Sequence, residues 1–295
     1  MKIIDRIKNI LYRSSVLDEI RRILAQEKHE SAQLRVLLTH RELDRLRSLH
    51  RYRNPKMLVS YGYKIYSQND EDGIIKEIFA RIGITNKIFV EIGVGDGLEN
   101  NTAALLLESW SGLWVDADAH SMEKIRKHFT EIIAKGKLQI AHCLVTESNV
   151  DEILSSRIDQ AEIDLLSIDI DGNDLHILNA IDSILPRVIV IEYNAKFVPP
   201  ILYSPRYDKN HNWQSDDHFG ASLKSLEFDL YDKGYALVGC NLIGTNAFFV
   251  RHDLVLDKFA EPFTAEMHYE PARYYLAGYA SGHRPSYLTI VNSSS

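Results

Sequence analysis

Two regimes of apolar spacing divide the chain. Residues 1–54 hold neither Gly nor Pro, and apolar side chains recur there at helical intervals, at Ile3, Ile7, Ile10, Leu17 and Leu24. The same frame then meets Lys28, Ser31 and Arg35, and a new apolar face runs through Leu34, Leu37, Leu38, Leu43, Leu46 and Leu49. This spacing predicts one or two long helices ended at Pro55, as a broken amphipathic pair or a short coiled coil. Such helices either pack on their own domain or carry self-association or partner docking. Docking on a membrane surface is the weaker alternative, because acids interleave with the basic residues.

From residue 60 onward, short β-rich apolar runs alternate with helical stretches. The predicted strands are residues 88–92, 112–116, 138–144, 165–169, 188–192, 235–240 and 246–251. The predicted helices are 70–82, 101–108, 121–134, 150–156, 174–184 and 222–233. Such alternation argues for a mostly parallel sheet covered by helices. The last two strands, "GYALVGC" and "TNAFFVR", are joined only by Asn241–Gly244, too short for a crossover helix, so they form an antiparallel hairpin. The expected organisation is an N-terminal helical segment over 1–55, a sheet domain over 56–252 and an extension over 253–295. That extension carries Phe259, Phe263, Tyr269, Tyr274, Tyr275, Tyr279 and Tyr287, with no catalytic pattern.

Charge changes the picture in one respect. Residues 1–53 carry 13 Lys/Arg against 7 Asp/Glu, whereas the whole chain has a net charge of −7. The rest of the chain is therefore strongly acidic, which disfavours a nucleic-acid partner. No run approaches the roughly 20 apolar residues of a membrane helix. Lys2, Asp5, Arg6 and Lys8 among the first isoleucines argue against a signal peptide. Cys143 and Cys240 form no CxxC pair, so neither a disulfide framework nor a zinc site is expected. A cytoplasmic protein is the default expectation.

The chemistry centres on "FVEIGVGDG", Phe89–Gly97, where an apolar strand enters a glycine-rich turn and a helix opens near Asn100 or Asn101. Gly93 and Gly95 permit a sharp turn and a close ligand, and the helix start offers N–H groups to an anion. Glu91 can accept from a ligand ammonium, directly or through water. The GxGxG spacing with an acid two residues before it departs from the dinucleotide pattern GxGxxG and suits a nucleoside carrying an amino acid. Asp116 ends the next strand, where a carboxylate can take both ribose hydroxyls; Asp116 and Asp118 can also be plain turn residues. His142, ending the third strand, is placed either at the adenine edge or in solvent. In "YSQNDEDGII", Gln68 either helps to hold the methionine part of the cofactor or belongs to a helix cap.

The segments "SQNDEDGII", "FVEIGVGDG", "WVDAD", "LLSIDIDGND" and "VIVIEYN" resemble the FkbM-type methyltransferase family over roughly residues 60–250. The resemblance implies a Rossmann-like class I methyltransferase fold, a mostly parallel seven-stranded α/β sheet ending in the antiparallel hairpin. It implies S-adenosylmethionine (SAM) as cofactor and O-methylation of a sugar, glycan or other small hydroxylated molecule, including surface-polysaccharide work. Mapped onto the motifs, the cofactor residues are Glu91, Gly93, Gly95, Asp96 and Asp116, to which the candidates Gln68, Asn101, Ala117, His142 and Asp169 are added. The family form of the fourth motif is closer to DxEG, and this chain has the shorter Asp171 in place of that glutamate.

A hydroxyl is a poor nucleophile at neutral pH, so a base or a metal is expected to help. Asp169 and Asp171 follow the fourth predicted strand, and Glu192 ends the fifth, with Asn194 nearby. The catalytic candidates are Asp169, Asp171, Glu192 and His218. Carboxylates and an amide oxygen at Asp169, Glu192 and Asn194 suit Mg²⁺ or another divalent cation, a layout similar to the metal-dependent catechol-type methyltransferases. Alternatively, Asp171–Asp174 cap the next helix, or Asp169 meets the cofactor ammonium. Residues 194–220 form a long loop rich in Tyr, Trp, His and Asp, read as a substrate lid whose candidate bases are His211, Asp217 and His218. The competing function is a non-catalytic methyltransferase-fold scaffold joined to partners through the N-terminal helices.

Overall fold

The computed structural model describes residues 2–277 and 282–293. Side chains are described for residues 16–277 and 282–291, so those of Ile3, Ile7 and Ile10 lie outside the described residues, as does Tyr279. The chain forms two compact units, residues 1–48 and 49–295.

The first unit is one helix, α1 (Lys2–Arg47), rather than two. The polar break at Lys28, Ser31 and Arg35 changes the apolar face without ending the helix, since these residues have near-neutral helix propensity. Leu17, Leu24, Leu34 and Leu38 remain at least half exposed along it.

The second unit is built on a seven-stranded sheet. Its strands are β1 (Ile88–Ile92), β2 (Ser111–Asp116), β3 (Leu138–His142), β4 (Glu162–Ile168), β5 (Leu185–Glu192), β6 (Tyr235–Cys240) and β7 (Asn246–Arg251). The spatial order is β3-β2-β1-β4-β5-β7-β6. β1 to β5 pair in parallel, while β7 runs antiparallel to both β5 and β6. This is the Rossmann-like class I methyltransferase plan.

Alternation along each strand feeds two cores. Val90, Ile92, Leu113 and Val115 pack on one face, and Phe89 and Trp114 on the other. The helices α2 (Glu71–Ile82), α3 (Ala103–Leu107), α4 (Ala119–His128), α5 (Thr130–Ala134), α6 (Val150–Ser155), α7 (Asp174–Asn179) and α8 (Leu223–Asp232) fill the connections. Several sequence expectations shorten here: the predicted strand 138–144 ends at His142, and the predicted helix 101–108 spans Ala103–Leu107. The predicted helix 121–134 divides at Phe129, and the helix predicted to reach 184 stops at Asn179. Beyond it, the backbone N–H groups of Asp182 and Ser183 donate to Asp151 Oδ1 instead of to the preceding turn. Among the described residues, no helix is long and apolar enough to cross a membrane.

Candidate active site

The carboxyl ends of β1, β2, β4 and β5 open into one cavity of about 1180 Å³. One wall of it is backbone. After β1 the chain turns at Gly93 (φ +88°) and Gly95 (φ +54°), both on the cavity wall. A Cβ at Gly93 would lie 1.7 Å from the Asp169 carbonyl oxygen, so only glycine lets this turn pass the end of β4. Asp116 lines the cavity at the end of β2; its Oδ2 accepts from Gly95 N at 2.8 Å and its Oδ1 from Asp118 N at 2.7 Å. Gln68, Ala117 and Asp169 also line it.

Three buried acids hold this wall from behind. Glu91 Oε1 accepts from Asn101 N at 2.8 Å, and Oε2 from Thr102 N at 3.0 Å and Thr102 Oγ1 at 2.5 Å. Burial pushes the Glu91 carboxyl up to about 7 against these hydrogen bonds. Asp72 Oδ2 accepts from the backbone N–H groups of Ile65, Tyr66 and Ser67, shaping the segment that presents Gln68. Glu71 Oε1 accepts from the amides of Asn241 and Asn246, which ties that segment to the β6–β7 turn. Neither Glu91 nor Asn101 borders the cavity: both are buried, and the Asn101 amide donates to Ser167 Oγ. Asp96 and His142 are likewise outside the lining; Asp96 is 3.7 Å from Lys124 Nζ, and the His142 ring is 3.1 Å from the Ala117 carbonyl.

The opposite wall is made of carboxylates. Asp169, Asp171 and Glu192 each bring an oxygen within 4.8 Å of the others. Burial raises the Asp169 and Glu192 carboxyls well above the ordinary range, and neighbouring carboxylates raise them further, Asp174 and Asp171 at Asp169, and Asp169 and Asp174 at Glu192. Burial also raises Asp171. Glu192 Oε2 is buried without a hydrogen-bond partner. Asp171 reaches the cluster because it adopts a left-handed backbone at φ +58°. Asp174 holds that turn, accepting from Ile170 N and Gly172 N at 2.8 Å each. The "DIDGND" segment is thus divided in role, with Asp174 building the loop and Asp169 and Asp171 facing the cavity. Asn194 also lines the cavity, but its amide donates to the carbonyls of Asp217 and Phe219 and accepts from Lys196 N.

The loop over residues 194–220 lies across this acidic wall. It is pinned by Asn173 Nδ2 to the Asp208 carbonyl and by the His176 ring to the Pro205 carbonyl, each at 2.8 Å. It lines the cavity with Trp213, His211 and Lys209. The His211 ring is 3.0 Å from the Asp171 carbonyl, packed where a Cβ on Gly172 would stand. His218 is exposed, 5.3 Å from His211 ring to ring, and outside the lining. Asp217 pairs with Lys196.

The sequence reading did not single out the bracing acids Glu71 and Asp72 or the contribution of Ala272, Tyr274 and Ala277 to the cavity. The crowded "NDED" run carried a signal for the first. Nothing in the sequence spacing could have placed the second.

Comparisons with known proteins bear on this site. No curated protein sequence matches the chain. Among solved structures, an Aquifex aeolicus SAM-dependent methyltransferase aligns at 9% identity over 60% of this chain and 88% of its own, with a TM-score of 0.37. The methyltransferase domain of bacterial CtHen1-C aligns at 14% identity over 61% of this chain and 97% of its own, TM-score 0.39. M. capricolum TrmK, bound to S-adenosylhomocysteine, aligns at 11% over 60% and 65%, TM-score 0.34. Residues 76–208, which run from α2 through the glycine turn and both acid-bearing strand ends into the loop over 194–220, match the methyltransferase FkbM domain.

Proposed function

We propose that the protein transfers a methyl group from SAM to a hydroxyl oxygen of a sugar, glycan or other small hydroxylated molecule, assisted by a divalent cation. The observation that carries this reading is the meeting of three carboxyl groups, within 4.8 Å of one another, across a single cavity from the glycine turn. The donor set fits both groups. Gly93 and Gly95 leave the turn open to a nucleoside, and Asp116 offers ribose-binding oxygens. Asp169, Asp171 and Glu192 fit a hard cation, which would relieve their repulsion and give the unpartnered Glu192 oxygen a ligand. Asn194 is left out of this ligand set, because its amide is already spent on the lid.

SAM supplies an electrophilic methyl on a sulfonium, and a bound cation would lower the pKa of an acceptor hydroxyl. The chain's own residues then orient the acceptor and take its proton. Glu192 or Asp169 is the proton acceptor nearest the centre, while His211, anchored to the Asp171 carbonyl, stands at its edge. The lid excludes water, and Trp213 offers a ring face to the acceptor.

The test is methyl transfer from radiolabelled SAM to a mixture of methyl glycosides, with and without Mg²⁺. The expected product is an alkali-stable ether, formed faster with Mg²⁺ and lost in Asp169→Asn and Glu192→Gln, which still bind SAM. Wild-type turnover in both variants, or a labelled product that is not an ether, refutes the proposal.

A further inference from the structure

The segment Tyr269–Ala277 lies outside the residues that match the family, yet it forms part of the cavity wall through Ala272, Tyr274 and Ala277. It is held there by a buried acid. Glu270 is fully buried; its Oε2 accepts from Tyr52 Oη at 2.6 Å and Arg273 at 2.8 Å, and its Oε1 is 3.1 Å from Arg51. The Glu270 carbonyl accepts from Tyr193 Oη at 2.6 Å, and Tyr269 Oη donates to the Ala195 carbonyl at 2.6 Å. Arg273 N donates to the Ile243 carbonyl at 2.7 Å. Gly244 (φ +81°) makes room, since a Cβ there would sit 2.5 Å from the Pro271 carbonyl oxygen. A buried carboxylate joined to two arginines and a tyrosine is costly to break, so the segment is a fixed strap rather than a loose tail.

Its attachments decide which half of the cavity it serves. Besides Arg51 and Tyr52, they are to the end of β5 and to the β6–β7 turn. Strands lie about 4.8 Å apart, so β5 stands about 10 Å from β1 and about 14 Å from β2, where the glycine turn and Asp116 are. Tyr274 is 47% exposed and lines the cavity together with Glu192. It offers the cavity a ring face and an O–H.

We infer that the C-terminal strap completes the acceptor half of the active site and that Tyr274 contacts the methyl acceptor, not the cofactor. This rests on the methyltransferase reading above.

The test places a thiol at the site. Tyr274→Cys and, as a cofactor-side control, Ala117→Cys are each made in a Cys143→Ala background and labelled with monobromobimane with and without saturating S-adenosylhomocysteine (SAH). SAH is expected to protect the Ala117→Cys thiol strongly and to leave labelling of the Tyr274→Cys thiol nearly unchanged. In parallel, Tyr274→Ala is expected to lower methyl transfer to the glycoside mixture by up to about tenfold, the worth of one aromatic contact, with SAH affinity as in wild type. Tyr274→Phe, which keeps the ring, is expected to retain most of the transfer and serves as the folding control. Equal SAH protection of both thiols, wild-type transfer by Tyr274→Ala, or loss of SAH affinity in that variant overturns the inference. A wild-type protein that binds no SAH, leaving the control thiol unprotected, instead counts against the methyltransferase reading itself. One that binds SAH but methylates nothing in the mixture counts against the glycoside class alone, and the labelling pattern then decides the place of Tyr274.

Discussion

The two walls of the cavity use the same residue types in opposite ways. On the β1–β2 side, Glu91, Asp72 and Glu71 are buried acids off the cavity whose oxygens, save Asp72 Oδ1, accept from N–H, hydroxyl and amide donors of the protein. They brace a turn whose ligand-facing surface is glycine backbone. On the β4–β5 side, Asp169, Asp171 and Glu192 crowd together, with one Glu192 oxygen left without a partner. Burial raises Glu91 and Asp72 on one side and Asp169 and Glu192 on the other, so a raised pKa alone does not separate structural from functional acids. What separates them is where they stand: Glu71, Asp72 and Glu91 lie off the cavity, held by the protein's own donors, whereas Asp169, Asp171 and Glu192 line it. A carboxylate held by backbone donors away from the cavity fixes geometry; one facing an open cavity among like charges can bind a cation or move a proton.

That contrast is broken most severely at Gly93. Gly93→Ala puts a methyl into the Asp169 carbonyl at a left-handed position, and a loss of more than about 3 kcal/mol of stability is expected in denaturant unfolding. A variant as stable as wild type would mean that the two strand ends are not in contact. On the acidic wall the expectation reverses. Asp169→Asn and Glu192→Gln relieve repulsion, so stability holds or rises while turnover falls by roughly 100-fold or more. Parallel losses of stability and turnover would make these acids structural, like those of the other wall.

The sequence made the sheet legible because each strand is a short apolar run bounded by turn residues, and the five-residue link between β6 and β7 dictated their pairing. The glycine turn was legible for the same reason: Gly93, Gly95 and Asp116 are tied by local backbone geometry that few other residues satisfy. The role of Glu91 was not. A carboxylate two residues before the turn reads equally as a ligand or a brace, and only the positions of Asn101 and Thr102 decide where its oxygens point. His218 and His211 sit in one loop and differ only in the fold of that loop, which sequence periodicity does not encode. The strap was illegible because its placement depends on contacts such as Tyr52 to Glu270, more than two hundred residues apart.

Two intermediate effects sharpen the comparison. Asp116 holds Gly95 N and lines the cavity, so Asp116→Ala is expected to weaken SAM binding by about tenfold to 100-fold in calorimetry, with a smaller loss of stability. Unchanged SAM affinity would reduce Asp116 to a turn residue. Glu91 gives a pH signature. Its folded pKa of about 7 exceeds the ordinary 4.5, so between these values the folded protein holds a proton that the unfolded chain has released. Its stabilisation is complete below pH 4.5 and is lost as the pH rises through 7, a span on the order of 3 kcal/mol. Denaturant unfolding at pH 5 and pH 8 should show this slope in wild type and a flatter one in Glu91→Gln. Equal slopes would mean that the three hydrogen bonds keep Glu91 ionised throughout.

The smallest expected effect is at His142. By position on its strand, this residue is a candidate for the adenine edge. In the structure its ring instead meets the Ala117 carbonyl at 3.1 Å, is exposed, and does not border the cavity. Ala117 itself does line the cavity, so His142 touches that wall only through a backbone oxygen. Removing an exposed ring with one hydrogen bond usually changes stability by under about 0.5 kcal/mol. His142→Ala is therefore expected to shift SAM affinity by less than about twofold. A tenfold loss would place adenine against the imidazole. It would also show that the backbone-built wall, like the acidic one, recruits a side chain to hold its ligand.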